Sequence, residues 1–331
     1  MARSRENISK EVRNRQILFS AIKEFIEKGR PIGSKILNAK YNFGASPATI
    51  RNVFAWFEKK GYLTHSFSSS GRIPTHLGIK FYIEKILSSP EIMNGAKVPE
   101  FTDADTDTHL IEKASFILSE YSKWVGLSAI VEDVSSLKEF DIKLISPNKL
   151  LLFVITQSGK IYSNIVSSHN PIKKTTFNFI RKALKHIKNL DELKRQFKKL
   201  YRENEELLRK VSSKFKQLEE MKKICCHSTF NPSVFDKRIK NFSTLFSVLQ
   251  QRRHLILEIL KNLPEHEHDI GFCWNIAPQT DEELALTFSS FRANNILYVF
   301  GVLGIKFMDY MKILPLIRGI SLNAQKCIRR F

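Results

Sequence analysis

Two stretches near the N-terminus carry side chains of the kinds that read DNA. Between Pro47 and Lys60 the text is PATIRNVFAWFEKK. At about 100° per residue, Ala48, Asn52, Ala55 and Lys59 fall opposite Ile50 and Phe54, with Arg51 at their flank. That face is small, polar and basic, which suits a major groove about 12 Å wide. Alanines permit close approach and meet thymine methyls, Asn52 can bond adenine through two hydrogen bonds, and Arg51 can do the same with guanine or hold a phosphate. Taken alone, the face equally describes an ordinary solvated helix surface. The second stretch, Ser68, Ser69, Ser70, Gly71 and Arg72, places small hydrogen-bonding residues beside a turn-forming glycine. Such a turn would present Arg72 to phosphates or to a narrow minor groove, and a flexible serine loop is the bland alternative.

Catalytic chemistry finds little to stand on. There is no P-loop, no GxSxG and no HExxH, and the N-terminal acids form no paired motif for metal-assisted hydrolysis. Cys225-Cys226-His227 and His266-Glu267-His268-Asp269 are the two ligand-like clusters. Vicinal cysteines without partners at zinc spacing lack the four ligands of a closed tetrahedral site, and the histidine cluster sits in a polar connection after Pro264. No metal or cofactor is expected, and the chain does not read as an enzyme.

The elements that must position the first two stretches are punctuated clearly. Ile17, Leu18, Ala21, Ile22, Phe25 and Ile26 form an amphipathic stripe stopped by Gly29 and Pro31. Ser34 reads as the cap of a short second helix. Ser46-Pro47 opens a third, with serine at the cap, proline at the first helical position and Gly61 placed to end it. Tyr62 to Thr64 and Arg72 to Pro74 read as two strands around the serine tip, the proline suiting an edge. Thr75 caps a fourth helix with Ile79, Tyr82, Ile83, Ile86 and Leu87 as its buried stripe. Helix, helix-turn-helix and hairpin together make a winged helix over residues 1–89.

Charge agrees with a polyanionic partner. The 331 residues carry a net +20, and residues 1–89 alone hold 16 Lys and Arg against 6 Asp and Glu, half of that excess in about a quarter of the chain. The longest apolar stretch, Ile296 to Ile305, falls well short of the roughly 20 residues a membrane helix needs, and no apolar signal core opens the chain. Four cysteines without CxxC spacing suit a reducing cytoplasm. From Ser88 the text turns to SSPEIMNGAKVP and an acidic run to Asp107, which reads as a linker over 90–107.

Beyond it, Leu144-Ile145, Lys149 to Thr156 and Lys160 to Val166 are strand-like around Gln157-Ser158-Gly159, with helical stripes at Leu110 to Trp124 and Asn178 to Leu190. The fold class is therefore α+β and multidomain. Residues 189–223 and Asn241 to Leu263 read as helices that either pair across a twofold axis or serve as internal core. Strand-like text resumes at Ile270 to Trp274, Leu284 to Phe288 and Ile296 to Val302, before a C-terminal helix that Pro315 should kink.

The strings PIGSKILNAKYNFGASPATIRN, WFEKKGYL and SSSGRIPTHLGIKFYI resemble the heat-inducible transcription repressor HrcA family. The resemblance continues through SAIVEDVSSLKEFDIKLISPNKLLLFVITQSGKIYSNIV to GVLGIKFMDYMKIL, so it covers nearly the whole chain. It implies that Ser46, Thr49, Arg51 and Asn52 lie on a recognition helix and Ser69, Gly71 and Arg72 on a wing. It further implies a GAF-like domain over 108–185 and 264–331, with a mainly helical dimerisation segment inserted at 186–263. The implied function is repression of chaperone operons, as a homodimer on the CIRCE inverted-repeat operator, with dependence on a GroEL-type chaperonin and release on heat stress. Two departures stand out. The family's Pro-His before its wing is Ser66-Phe67 here, with Ser70 in place of alanine, and its Gly-Pro-Thr-Arg-Met-Asp-Tyr becomes Gly304-Ile305-Lys306-Phe307-Met308-Asp309-Tyr310. The alternative reading is a winged-helix regulator controlled by a small effector in the GAF-like domain, which calls for a concave, polar-lined pocket there.

Overall fold

A computed structural model describes residues 2–66, 69–101, 106–132, 137–156, 161–184, 224–230, 242–274, 276, 283–293 and 296–329, with a few single positions between 185 and 223. The N-terminal head begins with helix α1 (Ala2–Lys28), whose Ile17, Leu18, Ala21, Ile22 and Ile26 are buried and whose end is turned by Gly29 at φ 63°. Helix α2 (Ser34–Lys40) is preceded by Gly33 at the cap position. Ser34 is therefore not the cap; it is the first helical residue, buried against the head. An ion pair from Lys40 to the buried Glu24 carboxylate ties α2 to α1, which raises the Lys40 pKa, with Glu27 adding a contact at 3.0 Å.

Helix α3 (Pro47–Lys59) starts where expected, with the Ser46 hydroxyl accepting the Thr49 amide, and it buries Ile50, Val53, Phe54 and Phe57. Gly61, at φ 78°, turns the chain out of it. Strands β1 (Leu63–Ser66) and β2 (Ser69–Pro74) pair antiparallel, and Ile32 and Arg72 exchange backbone hydrogen bonds of 2.9 and 3.0 Å, which pins the α1–α2 connection to the hairpin. Helix α4 (His76–Leu87) is capped by Thr75, whose hydroxyl also donates to the Gly61 carbonyl.

Residues 90–101, including the short α5 (Pro90–Met93), lead to α6 (Asp107–Ser122) and to a five-stranded antiparallel sheet. Its order is β7 (Ile224–Thr229), β3 (Val125–Glu132), β10 (Ile296–Ile305), β9 (Leu284–Ala293), β8 (Ile270–Trp274). All ten residues of β10 are buried, so the most apolar stretch of the sequence is the central strand. Helices α6 and α10 (Tyr310–Ile328) lie against the sheet, and Pro315 sits inside α10. Helices α8 (Phe242–Gln250) and α9 (Arg252–Lys261) follow β7, and α9 packs against β7 and β8.

Strands β4 (Leu137–Ser146), β5 (Lys149–Thr156) and β6 (Ile161–Ser167) make a separate sheet. With α7 (Lys174–Leu184) it surrounds a second core containing Phe140, Ile142, Leu150, Leu152, Val154 and Ile180. The chain thus leaves the five-stranded sheet after Glu132 and rejoins it at Ile224. This excursion begins earlier than the sequence reading places its insertion, and it ends before α8 and α9, which belong to the main core. Alternating strand text says that a segment will pair but not with which partner, because that choice is made by distant residues. The turn at 157–159, and most of the helical text at 189–223, lie outside the described residues. Among those that are described, no helix is long and apolar enough to cross a membrane.

Candidate nucleic-acid interface

Helix α3 presents the expected face. Ala48, Arg51, Asn52, Ala55 and Lys59 are all exposed, on the side away from the buried Ile50, Val53, Phe54 and Phe57. At the start of the helix, Ser46 is exposed and Thr49 half-buried, and their hydroxyls share a hydrogen bond of 3.0 Å. A turn with Gly44 at φ 59°, its amide held by the Asn42 side chain, brings the chain into this cap.

Two residues missing from the expected set belong to the same face. Trp56 is 41% exposed one turn beyond Asn52, and the Lys60 ammonium lies 4.1 Å from its ring centroid. The sequence did hold a signal: with Phe57 on the apolar stripe, the adjacent Trp56 must point elsewhere.

The hairpin departs from expectation at two residues. Gly71 does not form a turn; it lies within β2, and a Cβ there would come 2.7 Å from the Pro31 Cβ and 2.9 Å from the Pro31 carbonyl carbon. Glycine is needed for close approach to the α1–α2 connection. Arg72 is not presented to solvent. Its side chain is 12% exposed, and its guanidinium donates to the Glu58 carboxylate at 3.1 Å from Nε and 3.0 Å from Nη2. His65, opposite Arg72 across the hairpin, contacts the other Glu58 oxygen at 3.1 Å. Glu58 therefore ties both strands to the last turn of α3. Ser69 and Ser70 open β2, whereas Ser68 lies outside the described residues.

The two ligand-like clusters are taken up by other contacts. Cys225-Cys226-His227 lies on edge strand β7, a strand the sequence reading did not expect, and His227 Nδ1 is 2.6 Å from the Ser115 hydroxyl, which also meets Thr229 at 2.9 Å. His268, at φ 64°, contacts Ser321 through Nδ1 at 2.9 Å and Gln325 through Nε2 at 3.1 Å, while Glu267 accepts the Arg292 amide. Burial holds the His268 pKa below the usual histidine value, against the raising effects of Gln325 and Glu267. Both clusters latch elements together, and no group of three or more His, Cys, Asp or Glu among the described residues is arranged to hold a metal ion.

Beside the sheet, packing is tight around Phe288. This ring is fully buried, and a Cβ on Gly271 would meet it at 2.3 Å, while one on Gly301 would come 3.0 Å from its Cβ.

A family model described as HrcA protein C terminal domain matches residues 108–314. A heat-inducible transcription repressor HrcA from Caldanaerobacter subterraneus subsp. tengcongensis is 26% identical over 322 residues, covering 91% of this chain and 92% of that relative. One from Clostridium acetobutylicum is 33% identical over 184 residues, or 53% of this chain and 52% of that one. Among solved structures, a hypothetical protein determined at 2.2 Å resolution is 18% identical with a TM-score of 0.56, covering 95% of this chain and 97% of that one, a likeness of fold.

Proposed function

Because this chain belongs to the HrcA family, we propose that it is a heat-inducible transcription repressor whose head, residues 1–89, is a winged helix that binds double-stranded DNA. It is a regulator rather than an enzyme. The observation that carries the reading is the exposed face of α3, where Ala48, Arg51, Asn52, Ala55 and Lys59 stand clear of the core on a capped, well-anchored helix. In this reading α3 enters the major groove, with Asn52 and Arg51 on base edges or phosphate and Trp56 and Lys60 beside them. Ser46 and Thr49 bring the N-terminal amides of α3 close to a phosphate. The hairpin is the wing: Ser68, Ser69 and Ser70 contact the backbone, and Gly71 and Arg72 hold the wing against α3.

The rest of the chain supplies twofold symmetry. We assign residues 90–107 as the connection and the five-stranded sheet with α6 and α8 to α10 as the GAF-like domain. The inserted dimerisation segment then becomes the excursion at 133–223. Its three-stranded sheet leaves Ile161 68% and Ile165 52% exposed on one face, with Leu151, Phe153 and Ile155 half-buried beside them on β5. A second copy covering that face would bury it, and two heads would then meet the two halves of an inverted repeat such as the CIRCE operator. Occupancy excludes polymerase. Heating lowers the population of the folded dimer and releases the operator. A chain that exposes this apolar face until it pairs is a natural client of a GroEL-type chaperonin. DNA as the partner makes the cytoplasm the site of action, and no cofactor is required.

Titration of the purified protein against an inverted-repeat chaperone-promoter duplex and a scrambled duplex, at two salt concentrations, tests the reading. Preference of about 10³ or more for the inverted repeat is expected. Equal and steeply salt-sensitive binding to both would reduce the protein to a basic DNA coat.

A further inference from the structure

The segment between head and body reads as a linker, and a flexible linker of about a dozen residues would let the head wander by roughly 20 Å. Its described residues up to Phe101 are held down. Met93 and Phe101 are 4% and 3% exposed, and the Asn323 amide on α10 donates to the carbonyls of Val98 and Pro99 at 3.4 and 3.3 Å. The Cys327 thiol donates to the Phe101 carbonyl. Gly319 makes room for Val98, since a Cβ there would come 2.5 Å from the valine Cγ2.

The head itself is seated on the body by two ring contacts. Phe25 of α1 meets Phe307 edge-on at 5.0 Å between centroids, and His76 at the start of α4 meets Trp274 of β8 edge-on at 4.9 Å. Phe307 belongs to the turn between β10 and α10, and that turn is fixed from beneath. The Lys306 amide donates to the Glu283 carbonyl at 2.7 Å, and its ammonium pairs with the Glu283 carboxylate at 3.0 Å and lies 5.6 Å from the Phe307 ring. The Tyr310 hydroxyl donates to the Lys306 carbonyl at 2.7 Å. Lys306 is buried, and Trp124 packs under Gly304.

From this geometry we infer that the Lys306-Phe307 turn is a seat that sets the direction of the DNA-reading head relative to the dimer, and so the operator spacing the dimer accepts. The inference rests on the dimeric repressor reading. Lys306 and Phe307 are positioning residues: neither lies on the DNA-reading face. Each added base pair moves a half-site by about 3.4 Å and turns it by roughly 35° about the duplex axis. Two heads fixed to a rigid dimer must therefore reject a spacer changed by one or two base pairs, whereas two tethered heads follow it.

The test uses the full-length chain, unaltered and as Phe307→Ala, Phe25→Ala and Phe307→Tyr. Each is titrated against a single half-site and against inverted repeats with spacers shortened or lengthened by up to five base pairs. Thermal melting and solution mass confirm folding and dimer. The unaltered chain is expected to prefer one spacing by at least about tenfold over its neighbours. Phe25→Ala and Phe307→Ala remove the same contact from opposite sides, so either one that folds serves. Both should flatten the preference to within about threefold, with half-site affinity unchanged, and Phe307→Tyr, which keeps the ring, should restore it. A folded Phe25→Ala or Phe307→Ala dimer that keeps the unaltered spacing preference overturns the inference. So does an unaltered chain indifferent to spacing, and if that chain also fails to distinguish the inverted repeat from scrambled DNA, the repressor reading falls with it.

Discussion

At the scale of single residues, the head holds polar side chains that stand exposed on α3 and others that are engaged within the fold. Arg51 and Asn52 are exposed, whereas Arg72 donates its guanidinium to Glu58. Asn52→Ala should therefore cost about 1–3 kcal/mol in binding the inverted repeat, a loss of roughly ten- to a hundredfold, with a much smaller effect on scrambled duplex. Fluorescence anisotropy against both duplexes measures this. Arg72→Ala should act differently. Its pair with Glu58 is only partly buried, so head stability should fall by about 1 kcal/mol or less, and the slope of log affinity against log salt should match that of the unaltered chain. A slope reduced by about 1 would put Arg72 on a phosphate after all. The surface positions of α3 were legible from helical periodicity, because its cap and stop signals are local. The engagement of Arg72 was not, since its partner lies 14 residues away and meets it only through the hairpin.

At the scale of elements, close approaches decide which small residues matter. A Cβ on Gly126 would fall 2.0 Å from the Ser115 carbonyl oxygen and 2.6 Å from the Ser119 amide nitrogen, both backbone atoms of α6. Gly33, in extended backbone at φ −93°, has nothing within 4 Å. Gly126→Ala should thus lower stability by about 1–3 kcal/mol or more by pushing α6 off the sheet, while Gly33→Ala should stay within about 0.5 kcal/mol. Chemical denaturation of the two variants makes the comparison.

The same sheet contains an oddity. Ser128 and Ser289 flank Phe300 in one row across β3, β10 and β9, Thr287 stands beside Val302 in the next, and these three hydroxyls are fully or almost fully buried without a hydrogen-bond partner. A buried hydroxyl left unpaired costs about 1–3 kcal/mol. Ser128→Ala and Thr287→Val should therefore raise the melting temperature, and since release on heating is read as loss of the folded dimer, they should also raise the temperature at which the operator is freed. Parallel thermal melts and operator titrations at increasing temperature would reveal a melting point that moves without the release point, and that outcome would separate the sheet from the heat response.

At the scale of the whole molecule, two histidines join parts that are distant in sequence. His268 latches the α9–β8 connection to α10, and burial holds its pKa below 6.5, with Arg318 and Arg329 acting in the same direction and Gln325 and Glu267 against it. His76, in the seat between head and body, is lowered first by burial and then by Lys306 and Lys80, against Glu283. A histidine harder to protonate when folded binds fewer protons than in the unfolded chain below pH 6.5, so its contribution is complete above that pH and is lost as pH falls. Urea midpoints should therefore decline from pH 7.5 to 5.5, and His268→Asn should make that decline shallower. An unchanged pH profile in the variant would remove His268 as a cause.

What the sequence determined by itself is local. Caps at Ser46 and Thr75, stops at Gly29 and Gly61 and the apolar stripes between them specify the helices of the head, because a hydrogen bond within a few residues of chain decides each. The strand text of 149–156 and 270–274 was equally readable from residue type. The tertiary structure alone decided which strands share a sheet, that β7 closes the edge beside β3, that Arg72 turns inward to Glu58, and that the connection after α4 is bound to α10 instead of hanging free. Each of these depends on a contact between residues far apart in the chain. Their free energy comes from shape and burial at the meeting point, which neither periodicity nor composition of either segment carries.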